Sequence, residues 1–168
     1  MADELTLTPA GGVSVVWDPA AVRDLTNDGP REQPVWRLDG DISPDLSALR
    51  VVSGATKDGA LLLLCAARPV DAVHHDEEAV AAVVVSPEGE TQAIEEALVS
   101  TEYAADGAIR RFGVELYKED DDYPVRGAGD ATATASTEAA GERRDVADLA
   151  FRLDGSAGAA LYEIVHPT

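Results

Sequence analysis

The sequence predicts an all-β protein, an antiparallel barrel or β-sandwich of about ten strands. Three observations lead there. Turn signals recur at short intervals: "NDGP" at 27–30, "LDGD" at 38–41, "KDG" at 57–59, "SPEGE" at 86–90, "ADG" at 105–107, "EDDD" at 119–122 and "LDGSAG" at 153–158. Asp-Gly pairs tolerate positive φ and so close hairpins. Several of the intervening segments alternate apolar with polar residues, and two others are apolar throughout.

The early strands are "VSVVW" at 13–17, "PVWRLDG" at 34–40 and "LRVVSG" at 49–54. The runs "ALLLLCAA" at 60–67 and "AVAAVVV" at 79–85 have no polar face, as expected of strands covered on both sides. Residues 91–103 admit two readings. Ala93, Ile94, Ala97 and Leu98 recur at helical spacing, whereas a strand sets Ala97, Val99, Thr101 and Tyr103 on one face. The strand is preferred, because Asp106–Gly107 then turns the chain into a well-patterned partner. In that partner, 110–118, Phe112, Val114 and Leu116 face one way and Arg111, Gly113, Glu115 and Tyr117 the other. Residues 124–136 read as a further strand, and low complexity predicts a mobile loop around 136–143. Residues 145–153 and 159–166 flank Asp154–Gly155 as the last hairpin.

A length of 168 residues suits one domain, 1–168, and 45% hydrophobic residues suffice for a core. Aromatics are only 5%, so Val, Leu, Ile and Ala must fill it. No apolar run approaches the roughly 20 residues of a membrane helix, and "MADELTLTPAGG" lacks the basic and apolar regions of a signal peptide. The expected location is cytoplasmic. Cys65 sits among apolar residues and is expected to be buried and inert.

Charge is the most unusual feature: 32 acidic against 13 basic residues, a net charge of −19. Such a surface repels nucleic-acid phosphates and anionic lipid, which excludes both as expected partners. Lys57 and Lys118 are outnumbered by eleven arginines, a composition like that of halophiles or high-GC soil bacteria. Added salt should therefore stabilise the fold by screening self-repulsion.

The acidic knot Glu119–Asp122 lacks the alternating ligands, central Gly and distal Glu of a calcium loop, so it reads as a solvated hairpin turn. "VHHDEE" at 73–78 offers His74, His75, Asp76, Glu77 and Glu78 as ligands, with His166 the remaining histidine. Neighbours on a strand point to opposite faces and catalytic sites draw ligands from separated segments, so an exposed loop is the simpler reading and no metal or cofactor is assigned. No G-x-S-x-G elbow or strand–glycine loop–helix unit is present. A closed sheet of about eight strands can hold one small apolar ligand, with amphipathic aromatics at its mouth. Trp17, Trp36, Tyr103, Tyr117 and Tyr162 are available for that role, with Arg126, buried beside Gly127, as the polar contact; alternatively the aromatics fill the core.

The segment "STEYAADGAIRRFGVELYKEDDDYPVRGAGD", followed by "FRLDGSAGAALYEIVHP", resembles the lipocalin-type β-domains of the carotenoid hydratase (hydroxyneurosporene synthase)-like proteins. The matching positions are Arg111, Gly113, Glu115 and Leu116, then Arg126 and Gly129, then Asp154, Gly155, Gly158, Tyr162 and Glu163. The resemblance covers the C-terminal half and implies a lipocalin-like barrel, or half of a paired barrel, with an apolar pocket. Such proteins usually contain two barrel halves and this chain has room for one, which homodimerisation would complement. Together these readings lead to binding of a small lipid- or terpenoid-like molecule, with Trp36, Tyr117, Arg126 and Tyr162 nearest it. The alternatives are an isomerase or hydratase using Glu115 or Glu163 as acid/base, or a homodimeric interaction module.

Overall fold

The computed structural model describes residues 4–9, 13–27, 34–40, 46–71, 78–118, 123–139 and 141–167. Each segment expected to be a strand is extended, with boundaries moved by a few residues, except that residues 91–103 divide into two strands. A small antiparallel sheet, in the order given, contains β1 (Leu5–Leu7), β2 (Val15–Trp17) and β3 (Trp36–Leu38). The large sheet contains β4 (Leu46–Thr56), β5 (Leu61–Pro69), β6 (Ala79–Val85), β7 (Thr91–Ala93), β8 (Glu96–Tyr103), β9 (Ile109–Tyr117), β10 (Val125–Ala139), β11 (Glu142–Leu153) and β12 (Ser156–Pro167). Its spatial order is β7-β6-β5-β4-β12-β11-β10-β9-β8, all antiparallel.

Hairpins account for most neighbours in that order, as the turn signals require. At the β11–β12 turn both Asp154 and Gly155 adopt positive φ, 50° and 84°, the backbone that matches the twist of the paired strands. The exception to hairpin succession is β12, which returns to pair with β4 through Gly158↔Thr56 to Val165↔Leu49 and so joins the two halves. That junction depends on Gly158: a Cβ there would lie 1.9 Å from the Ala55 carbonyl oxygen.

The sheet is curled. Val80, Ala82 and Val84 of β6 share one apolar cluster with Ala97 and Val99 of β8 and Phe112 of β9, although these strands stand at opposite ends of the order. Only a sheet that bends back on itself can bring them together, giving a half-barrel whose concave side is this cluster. On the convex side a second cluster takes the alternate residues Leu61, Leu63 and Cys65 of β5 with Leu49, Val51, Leu161 and Val165. The small sheet covers it, which is why the run at 60–67 is apolar on both faces. Trp17 and Trp36 lie opposite one another in that cover; the Trp17 indole N–H donates to the buried Ser53 hydroxyl at 2.8 Å.

Two features depart from the sequence expectation. A short helix, α1 (Pro19–Arg23), follows β2, with Asp18 as N-cap accepting from the Ala20 N–H at 3.0 Å and Pro19 opening the first turn. Those are recognised helix-start signals, but five residues carry too little periodicity to register against strands. Of the span around 136–143 expected as a mobile loop, residues 136–139 and 142–143 are strand: Ser136↔Asp145, Thr137↔Arg144, Glu138↔Arg143 and Ala139↔Glu142 are paired residues, and residue 140 lies outside the described residues. Alternating Thr and Ala has high β propensity on one set of positions, and the low complexity masked it.

Residues 91–103 are extended rather than helical, as preferred, but they form two strands and not one: β7 pairs with β6 and β8 with β9, at opposite edges of the sheet. Ala97, Val99 and Thr101 are half-buried while Glu96, Leu98, Ser100 and Glu102 are exposed, the period of two of a one-sided strand. The acidic residues 119–122 lie outside the described residues, in the connection between the antiparallel strands β9 and β10, and Pro124 stands immediately before β10. Among the described residues no helix is long and apolar enough to cross a membrane.

Candidate functional site

Arg50 stands inside the concave face. It projects from β4 in phase with Ala48 and Val52, and its side chain is only 13% exposed. Its Nε pairs with Oε1 of Glu78 at 3.0 Å, and the Glu78 side chain is itself 10% exposed. Its Nη1 donates to the Tyr162 hydroxyl at 2.7 Å and to the Tyr103 hydroxyl at 3.0 Å. Tyr162 comes from β12, the strand beside β4; its hydroxyl also shares a hydrogen bond with the Thr101 hydroxyl of β8 at 2.8 Å. Its ring stands edge-on to Phe112, with centroids 5.2 Å apart.

The local sequence explains each position. Thr101 and Tyr103 continue the inward face begun by Ala97 and Val99, so β8 runs from an apolar to a polar end on one side. Tyr162 lies between Ala160 and Ile164 on the inward face of β12, which fixes its ring against Phe112 and leaves its hydroxyl toward β4. Burial works against the charge of Arg50, yet the neighbouring Tyr162, Tyr103 and Glu78 outweigh it and hold the guanidinium more firmly protonated than usual. Burial likewise raises the Tyr162 phenol above its ordinary value, against the opposing pull of Arg50. The group therefore offers a fixed cation beside the protonated Tyr162 phenol, with the Thr101 and Tyr103 hydroxyls hydrogen-bonded to the same pair.

This cluster opens outward. Tyr103 is 48% exposed, and Glu78 borders a cleft of about 480 Å³ that is also lined by Val80 and by Glu95 through Val99. The cleft follows the seam between β6 and β8, where the curled sheet meets itself without a backbone ladder among the described residues. An elongated apolar group lying along Val80, Ala97 and Val99 would have its end near Glu78.

The four residues expected nearest a ligand fall in three places. Tyr162 is fully buried on the concave face. Trp36 is on the convex side, where its indole N–H donates to Glu163 and the Arg144 guanidinium lies over its ring at 5.2 Å from the centroid. Tyr117 and Arg126 are on the outer face of β9 and β10; the Tyr117 hydroxyl donates to Glu115 at 3.2 Å and Arg126 lies 3.8 Å from the same carboxylate. That hydrogen bond, with the negative charge behind it, holds the Tyr117 phenol protonated above its usual range. Arg126 was expected to be buried and is not: its side chain is 75% exposed, because strand alternation buries Gly127 and turns Arg126 outward. Glu115 and Glu163 also point away from the concave face.

Of the "VHHDEE" ligands, His74, His75, Asp76 and Glu77 lie outside the described residues, and Glu78 is engaged by Arg50. His166 pairs instead with Asp145 at 3.2 Å. Among the described residues no three potential metal ligands converge. The sequence reading missed Arg50, and it named Glu78 only as a possible metal ligand and not as the partner of a buried cation. Arg50 was detectable in principle, as a lone cation in a strand whose neighbours are all apolar or small.

The chain is similar in structure to a candidate ATTH from Nitrosomonas europaea, with a TM-score of 0.58 over 93% of this chain. The two share a fold. Their sequences are 14% identical, and this chain spans 53% of that protein's length. No protein-family model matches the chain, and no curated protein does. The fold in common is the all-β, lipocalin-like one that the sequence predicted.

Proposed function

We propose that this chain binds a small apolar molecule with one polar end, the polar end meeting Arg50, Tyr103, Thr101 and Tyr162 and the apolar part lying along the β6–β8 seam. One observation carries the reading: a guanidinium 13% exposed, ringed by hydroxyls, on an otherwise apolar concave face that opens beside Tyr103. Burying an ion pair costs several kcal/mol per ion before its attraction is counted, and an apolar replacement is often at least as stable. A polar cluster in such a position suits recognition better than it suits stability. Glu78 already neutralises Arg50, and the chain carries a net charge of −19, so the polar end is a neutral hydroxyl or carbonyl in place of a carboxylate.

The resemblance to the lipocalin-type β-domains of carotenoid hydratase-like proteins supports a terpenoid- or lipid-like ligand. Acid/base catalysis by Glu115 or Glu163 has no comparable support, since neither carboxylate shares a face with Tyr162. We read residues 1–168 as one domain, because the convex cluster joins the small sheet to β4, β5, β6 and β12. The acidic composition fits the expected cytoplasmic location, particularly a salt-rich one.

The test uses Nile red as a neutral apolar probe. Its fluorescence should rise on binding, all-trans-retinol should displace it, and Arg50→Met should weaken retinol more than it weakens Nile red. Absence of any uptake of either probe by the folded protein overturns the reading; stronger displacement by palmitate than by retinol overturns the neutral polar end.

A further inference from the structure

The large sheet leaves one long edge open. β9 pairs with β10 only from Val125↔Leu116 to Asp130↔Arg111, whereas β11 follows β10 to Ala139↔Glu142. β9 begins at Ile109 and so has no residues to set opposite 133–139, and at Ala131/Ala133 the β10–β11 register shifts around an inserted Thr132, whose hydroxyl donates to the Asp148 carbonyl at 3.2 Å. Among the described residues, no strand therefore pairs with the second edge of residues 131–139. A cleft of about 390 Å³ separates Thr134–Ser136 from the turn at Asp106–Ile109, leaving space beside it.

This edge differs from the others. Sheet edges in folded proteins are usually kept short or charged, because each is a row of unsatisfied N–H and C=O groups that templates pairing. Here β7 has three residues, and β8 carries Glu96 and Glu102. The open stretch of β10, "ATATASTEA", is nine residues long with Glu138 as its one charge, in a chain that is 27% charged.

We infer that residues 131–139 pair antiparallel with the same residues of a second copy of this chain, about a two-fold axis at Ala135. This register uses the whole open edge. It sets Thr134 opposite Ser136 twice, Thr132 opposite Glu138 twice and Ala133 opposite Thr137 twice, with Ala131 meeting Ala139. Glu138 thus never meets its symmetry mate, and an interface that is its own complement is what two-fold pairing requires. Ser136 donates to Asp145 at 2.8 Å, so its oxygen remains able to accept from Thr134 of the partner copy. The charge of −19 on each chain opposes the contact, and salt shortens that repulsion from a range of about 10 Å at 0.1 M to about 3 Å at 1 M. The dimer accordingly forms as salt is raised.

Sedimentation of the full chain across a salt and concentration series tests this, with melting temperature recorded for each variant. The wild type should shift from one chain mass toward two on going from low to molar salt. Ala135→Lys, which puts two cations face to face on the axis, should abolish the shift; Glu138→Lys, which meets Thr132, should keep it. Under oxidation Ala135→Cys should cross-link to itself and Thr137→Cys should not, because only the former sits on the axis. A mass of one chain under all conditions overturns the proposal and leaves the edge to another protein's extended segment. So does a dimer that survives Ala135→Lys, or equal cross-linking from both cysteines.

Discussion

Arg50 on β4 and Tyr162 on β12 meet at 2.7 Å through Nη1 and the phenol oxygen. They are not direct register partners: Arg50 faces Ile164 and Tyr162 faces Val52, so the contact is diagonal, across the one junction of the large sheet that is not a hairpin. The candidate site therefore depends on the pairing of β12 with β4.

Arg50→Met leaves Glu78 buried without its cation and should destabilise the fold by about 3–5 kcal/mol in urea denaturation. Adding Glu78→Leu to it should recover much of the loss. A cost of about 0.5 kcal/mol or less for Arg50→Met would place the pair effectively in solvent and remove the argument for a polar site.

Gly158→Ala should prevent the β12–β4 junction from closing, because its Cβ would overlap the Ala55 carbonyl at 1.9 Å. The expected loss is about 4 kcal/mol or more, or failure to fold, whereas Ala157→Ser beside it on the exposed face should be near neutral. A folded Gly158→Ala protein with unchanged urea midpoint would mean that the two strands cross differently.

Burial pushes the Cys65 thiol up to about 12 from 9.0, so it should resist labelling by a thiol reagent in native protein and react once unfolded. The folded-state value lies above the unfolded one, so its contribution to stability is complete below about pH 9 and fades as pH rises toward 12. Prompt stoichiometric labelling at neutral pH would contradict this placement under the small sheet.

His166 behaves in the opposite sense. Burial, aided by Arg143, holds its imidazole below the ordinary 6.5 despite the nearby Asp145. The unfolded chain then takes up the proton first, so stability should decline as pH falls below about 6.5, and His166→Gln should make that decline shallower. Identical slopes for the two proteins between about pH 7.5 and 5.5 would rule the linkage out.

Raising salt from low to molar concentration should raise the melting temperature, since screening relieves repulsion among 32 acidic residues. A flat or falling profile would show that the net charge is not what limits stability.

The strand positions were readable because each depends on neighbours in the chain. Alternation in 110–118 placed Phe112, Val114 and Leu116 inward, and the Asp-Gly signals located their turns. The same rule, consistently applied, would have turned Arg126 outward, since Gly127 and Gly129 share the phase that β10 buries. The short α1 and the ladder at 136–139 were obscured, one by its length and the other by its composition.

The sequence by itself determined which residues extend, where they turn and which faces are apolar, since period-two sterics and positive-φ turns act over a few residues. Only the tertiary structure decided that Arg50, Glu78, Tyr103 and Tyr162 share one face, and that Trp36 and Glu163 share the other. Those contacts join residues up to 127 positions apart, and they follow from how the sheet curls and which strand β12 returns to. Both are settled by burial of the two apolar faces together, a property of the whole sheet that no local stretch of the chain encodes.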